Sequence, residues 1–236
     1  TTLKQVGEQY FGNITQKTCL NNVNANANNI PAEPTPTNKK IKKADWPSQV
    51  PVVIGGYPVP PAKHPDTAAI EVLSYILSGG QSSRLYKRLV RKDRIAMAAG
   101  GYARDMEHRG LFLIYAIGLP TTKTSTLSDA LDREIAAIRQ AKDPNQIITN
   151  DEIKKAKNQL STDFIGSLET IGGVARAIGR STYILGDPRA FLDYAKRLQT
   201  VTAEDVLRVA KTYLDPKKIA RVDVPSTAQL TPGNAK

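Results

Sequence analysis

One apolar stripe constrains the folding of this chain more than any other feature. Thr149 and Glu152 stand at capping-box spacing ahead of Ile153, Ala156, Leu160, Phe164, Leu168 and Ile171, a stripe of more than four helical turns. A helix of that length has to bury its apolar face against a sheet or other helices. Gly172 and Gly173 loosen it, and Val174–Leu185 continues as helix to the breaker Gly186-Asp187-Pro188. Pro188–Leu198 predicts a further helix. Thr202 then caps another, with Asp205 at the capping-box position and Val201 placed to staple onto Val206. Val206, Val209, Ala210, Tyr213 and Leu214 form its buried face, and Asp215-Pro216 ends it. Ile219–Val224 alternates as a last strand.

The half of the chain before that stripe reads differently. Leu3–Phe11 has helix-compatible spacing with Gly12 just past its end. Residues 13–49 are rich in Asn, Pro and Lys and bury too little apolar surface to offset chain entropy, so they read as a linker. The folded domain is expected over residues 50–225, with 226–236 as a tail. Val50–Val59 is β-branched and apolar, but Pro51 and Pro58 remove ladder donors, which predicts an edge strand. Asp66–Leu77 predicts a helix, with Asp66 or Thr67 as N-cap and Gly79-Gly80 as its stop. Ser82–Arg94 predicts a short basic helical piece. Ile95–Arg104 and Leu111–Leu119 predict an antiparallel hairpin across the turn DMEHRG, and Leu127, Leu131, Ile135 and Ile138 mark a helix closed by AKDPNQ. This order does not alternate as a doubly wound fold does. It predicts an α+β domain, a mainly antiparallel sheet with helices packed on one face.

Few chemistries survive the residue inventory. The two histidines, His64 and His108, belong to neither HExxH nor HxxEH, and the single cysteine, Cys19, excludes an internal disulfide and a thiolate cluster. A nucleophile elbow is absent, and Ser78–Ser83 (SGGQSS) lacks the phosphate-loop arrangement. Asp151/Glu152 and Glu204/Asp205 lie in first helical turns, where capping accounts for them. The net charge of +11 invites a basic nucleic-acid-binding domain as an alternative. Five lysines of residues 13–49 carry part of that charge, the rest alternates with acids along helices, and aromatics are only 6% of the chain, so no nucleic-acid partner is expected. The longest apolar runs are far short of the roughly 20 residues of a membrane span.

Three segments in fixed order carry a family resemblance: VVIGGYPVPP from Val52, HPDTAAIEVLSYILSGG from His64, and QSSRLYKRLVRKDRIAMAAGGY from Gln81. Together they resemble the C-terminal, zinc-free domain of the pitrilysin-type (insulinase-type) zinc metallopeptidases. Ser82-Ser83-Arg84-Leu85-Tyr86 matches that family's SSRL[YF] motif, and the likeness covers Val50–Val224. Leu3–Ile14 also resembles the closing helix of a preceding family domain.

The resemblance implies a supporting domain that helps build a peptide-binding chamber without hydrolysing anything itself. Zinc is expected in a missing N-terminal domain or a partner, held by an HxxEH helix. The implied partners are an N-terminal zinc-binding domain, a second family subunit, or both, together with the peptide substrate. A non-catalytic scaffold subunit of the same family is the alternative. Active family members place an Arg and a Tyr where this chain has Val90 and Met97, so no catalytic residue is expected here. Substrate-binding candidates are Arg84, Arg91 and Tyr102 near that motif, and Ile54, Gly55 and Gly56 on the expected edge strand. Paired bacterial members suggest a periplasmic or cell-envelope location. The chain lacks an initial Met and reads as a piece of a longer protein.

Overall fold

The computed structural model describes residues 2–12, 34, 36–44, 46–141 and 148–227. Cys19, the AKDPNQ breaker after Ala141 and most of the tail therefore lie outside the described residues. The chain divides into two units, residues 1–34 and 35–236. The first contributes α1 (Leu3–Phe11), at whose start the Thr2 N–H donates to Gln5 Oε1 at 2.9 Å.

The second unit is built on five strands: β1 (Lys40–Lys43), β2 (Val52–Val59), β3 (Ala96–Arg104), β4 (Gly110–Gly118) and β5 (Ala220–Val224). Their order is β1-β5-β2-β4-β3, with β1 parallel to β5 and the other pairings antiparallel. Helices α2 (Thr67–Ser78), α3 (Thr124–Gln140), α4 (Asn150–Ser167), α5 (Ile171–Arg180), α6 (Tyr194–Thr200) and α7 (Ala203–Tyr213) follow in chain order. A π-helix occupies Tyr86–Lys92, where the Asp93 N–H reaches back five residues to Arg88 O at 2.9 Å. The fold is thus the α+β arrangement expected from element order, and the core lies between the sheet and α2, α3 and α7. Tyr57, Phe112, Leu73, Leu77, Leu131 and Ile135 are among its fully enclosed side chains.

Both capping boxes form. Glu152 N–H donates to Thr149 Oγ1 and Asp205 N–H to Thr202 Oγ1, each at 3.2 Å. Val201 and Val206 are both buried, as the staple requires. The long stripe, however, breaks earlier than its spacing suggests. α4 ends at Ser167, Thr170 caps a new helix by accepting from Gly173 N–H at 3.0 Å, and Ile171 is 92% exposed. Asp66 does not cap α2 through its side chain. Its carboxylate instead accepts from Arg208 at 2.8 Å and from the Tyr213 hydroxyl at 2.7 Å, tying α2 to α7.

Two strand expectations are corrected. β2 is central rather than an edge, paired with β4 along its whole length and with β5 from Val52 to Gly56. Pro51 precedes the strand and Pro58 lies beyond the β5 ladder, so neither removes a donor that a central position needs. Second, Lys40–Lys43, read as linker, forms β1 against β5. A strand of three lysines and one isoleucine has no alternating apolar signal, and only its pairing reveals it.

The last strand forms as expected, as β5, and it turns its charged rather than its apolar residues inward. Arg221 and Asp223 are buried, whereas Val222 is 40% exposed. Arg221 lies 3.0 Å from Asp223 and 3.3 Å from Asp132 of α3, and Asp132 also pairs with Lys39 at 2.8 Å. These ion pairs make the inversion tolerable, because a buried charge needs partners. Replacing Arg221 by Ala is expected to cost about 3 kcal/mol by stranding the buried Asp223 carboxylate, while Val222→Thr stays within about 0.5 kcal/mol. Urea denaturation of the two variants measures the contrast; equal midpoints would contradict the assigned facing of β5.

Candidate functional site

The register of the sheet places cross-strand partners on a common face. On the side away from the core one row runs Val222, Ile54, Tyr115, Gly100, and a second runs Val224, Val52, Ile117, Ala98. A third runs Ala220, Gly56, Leu113, Tyr102, and Pro58, Leu111 and Arg104 complete the face. Over β2–β5 Arg104 is its one charged member, and at the β1 end Lys40 and Lys42, paired with Ala220 and Val222, extend the same face. An antiparallel sheet with one wet face normally alternates apolar and polar residues, yet here the face away from the core is largely apolar over β2, β4 and β5. Ile54 is 45% exposed, Tyr102 49% and Leu111 38%, which makes the open face a surface suited to covering by another polypeptide.

The two edges of the sheet differ. β1 presents three lysines, the usual protection against adding a strand. β3 (AMAAGGYAR) carries one charge, Arg104, and pairs only with β4 among the described residues. A β-bulge lies at Met97, between the Ala96–Gly118 and Ala98–Ile117 pairs, and leaves that side chain 49% exposed. Bulges re-aim side chains and are common beside functional sites.

The residues singled out from the sequence separate in space. Ile54, Gly56 and Tyr102 share the open face, whereas Gly55 faces the core, where an added Cβ would lie 2.7 Å from Ile219 Cδ1. Arg84 is held by Glu152, with Nε to Oε1 and Nη2 to Oε2 both at 2.8 Å. Burial opposes ionisation of Glu152, but the Arg84 fork and the Thr149 N–H outweigh it and lower its pKa. That pair clamps the turn before the π-helix to the start of α4, so Arg84 is a structural group. Arg91 is exposed and contacts Gln81 at 3.3 Å. Val90 is half-buried and packs on the core. Arg88 pairs with Asp93 at 3.0 Å and with Glu134 at 3.6 Å, which leaves Lys87, Arg91, Lys92 and Arg94 as the solvent-facing part of the basic cluster.

A cavity of about 320 Å³ opens in the helical layer and was not anticipated from the sequence. Its apolar lining includes Ala68, Phe164, Leu185 and Phe191, with Glu71 of α2 and Tyr194 of α6 beside them. The Tyr194 ring stacks obliquely on Phe164, centroids 4.6 Å apart, and its hydroxyl donates to the Glu71 carboxyl. Glu71 Oε2 is enclosed and has no hydrogen-bond partner among the described residues. Burial pushes the Glu71 pKa up to about 7, against the Tyr194 hydrogen bond, which favours the anion. A sequence signal did exist: Glu71 is the sole charge in the apolar run Thr67–Ser78.

Among the described residues no group of three His, Cys, Asp or Glu converges as metal ligands would. His64 Nδ1 accepts from Asp66 N–H, and Asp66 is already committed to Arg208 and Tyr213. The described residues therefore do not fit a zinc site, and no hydrolytic step is derived through them. No described helix is long and apolar enough to cross a membrane.

The second unit is an α+β domain whose sheet leaves one largely apolar face open. The chain belongs to the family described as the Peptidase M16 inactive domain, whose model matches residues 1–160. It is 33% identical over 158 residues to the zinc protease PqqE of Helicobacter pylori, covering 67% of this chain and 34% of that protein. Over 146 residues it is 31% identical to an uncharacterized zinc protease of Streptomyces coelicolor, covering 62% of this chain and 30% of that one. The chain thus spans about a third of the length of these curated relatives. Its fold matches the crystal structure of a protease from Helicobacter pylori with TM-score 0.77 at 24% identity, over 95% of this chain and 53% of that one. A peptidase M16 inactive domain from Pseudomonas fluorescens matches with TM-score 0.70 at 19% identity, over 84% of this chain and 45% of that one.

Two outcomes follow for the site. Gly55→Ala is expected to destabilise the fold by about 1–3 kcal/mol through overpacking, whereas Gly56→Ala, whose Cβ would meet Leu113 at 3.5 Å, is tolerated; thermal melts compare them. Because the Glu71 pKa is raised on folding, the stability it confers is present below its unfolded value and is lost as pH rises through about 7. Glu71→Leu is therefore expected to raise stability by about 2 kcal/mol at pH 8 and to change it little at pH 4, read from denaturant midpoints at the two pH values.

Proposed function

We propose that this domain is the non-catalytic wall of a zinc metalloendopeptidase, lining the chamber in which an extended peptide is held while another domain cleaves it. The observation that carries this reading is the open sheet face, largely apolar over β2, β4 and β5, that ends in the unprotected strand β3. An extended peptide can add to such an edge through main-chain hydrogen bonds, with side-chain selectivity supplied by the adjoining face. Tyr102, Met97 and Leu111 would meet the apolar side chains of that peptide.

The metal and its general base would come from an upstream domain or a second family subunit. The HxxEH motif lies nowhere in this chain, and Val90 and Met97 carry no group that donates to an oxyanion. In this reading α1 closes a preceding domain, and the segment after it joins that domain to this one. The solvent-facing Lys87, Arg91 and Lys92 favour neutral or acidic peptides over basic ones.

The test uses the chain and its longer parent protein together. The parent is expected to cleave unfolded apolar peptides in a zinc-dependent manner, and the chain alone to bind them without cleavage. Substituting Ile54 and Leu113 by Glu should weaken that binding by about tenfold while the melting temperature of the chain shifts little. Cleavage by the chain alone, or binding indifferent to the face substitutions, would remove this function.

A further inference from the structure

The cavity in the helical layer plays no part in the chamber reading. It is walled by α2, α4, α5, α6 and the short turns between them, whereas the peptide face lies on the other side of the sheet. Three features mark it as a binding site. Its volume, about 320 Å³, sits at the low end of the roughly 300–1,000 Å³ of small-molecule clefts and limits the occupant to one or two residues' worth of atoms. Phe164, Leu185 and Phe191 supply an apolar wall, and the Glu71 carboxyl has an oxygen with no partner. Arg176 of α5 and Arg197 of α6 also line it, and neither has an ion-pair partner among the described residues, whereas Arg180 beside them is bonded to Asp105.

An occupant complementary to these groups carries a hydrogen-bond donor for the carboxyl, an apolar body for the aromatic wall and an anionic group for the arginines. We propose that this cavity binds an apolar α-amino-acid unit with a free carboxylate: its N–H donates to Glu71, its side chain fills the Phe164–Phe191 wall, and its carboxylate meets Arg176 and Arg197. A simple apolar ligand leaves both arginines unused, and an amine without a carboxylate is repelled by them. Two sources share this chemistry, a free amino acid and the carboxyl end of a short peptide.

Titration of the full 236-residue chain by heteronuclear NMR separates the outcomes. The probes are free phenylalanine, N-acetyl-glycyl-phenylalanine and N-acetyl-phenylalaninamide. Both acids, or one of them, should shift signals of α4–α6, while the amide binds at least about tenfold more weakly, since it loses the charge-assisted contacts. Preference for free phenylalanine identifies a free amino acid as the ligand, and preference for the acetylated dipeptide identifies a peptide end. The double variant R176Q/R197Q should weaken binding of the acids by about tenfold or more, and Glu71→Leu should weaken it severalfold. Circular dichroism melts confirm that both variants fold. The proposal is overturned by equal binding of acid and amide, by retention of affinity in R176Q/R197Q, or by the absence of shifts in α4–α6 at about 10 mM of each probe.

Discussion

Everything about the outward character of this domain depends on one buried ion network. Arg221 on β5 is surrounded by Asp223 on the same strand and Asp132 on α3, and Lys39 joins Asp132 just before β1. Charges are rarely buried without partners, and here each cation is matched. The cost of placing Arg221 and Asp223 inward is offset locally, and the consequence appears on the other side of the strand. Val222 and Val224 turn outward and extend the apolar surface of β2 and β4. The same network draws the lysine-rich β1 against β5, so that one edge of the sheet is closed by charge while β3 remains the open one.

A sheet with a broad apolar area on its open face as well as on its core side is not a stable endpoint for a solitary domain in water. It suits a domain whose second face is covered by polypeptide, which agrees with membership in the Peptidase M16 inactive domain family and with relatives of which the match covers about a third. The π-helix and the bulge at Met97 sit where the β3 edge begins and set the exposed side chains there. Arg84 and Arg88, by contrast, are consumed by Glu152 and Asp93 and hold the π-helix in place. The basic motif therefore has two populations, one that supports the fold and one that faces solvent.

The helical layer has its own logic. Glu71 lies in an otherwise apolar helix, and Tyr194 reaches it from α6 while packing on Phe164. A carboxyl held near neutrality by burial reduces stability at high pH, and such groups commonly mark functional positions. The break between α4 and α5 is what opens the space beside it. Had the stripe from Ile153 continued through Ile171 as one helix, Arg176 and Arg180 would not line a cavity.

The sequence by itself determined the fold class, the two capping boxes, the β3–β4 hairpin and the family, because each rests on short-range signals: capping spacing, alternation, helical period and an ordered motif. Only the tertiary structure decided which strand is central, that β1 exists, and which way β5 faces. Those outcomes are set by pairing and ion pairs between residues such as Arg221 and Asp132, 89 positions apart, which leave no local pattern. The same holds for the cavity, whose groups come from α2 and α4–α6, and for Gly55, whose lack of a side chain is explained by Ile219 on a distant segment. Local chemistry writes the elements; long-range contact decides which of their faces remain open.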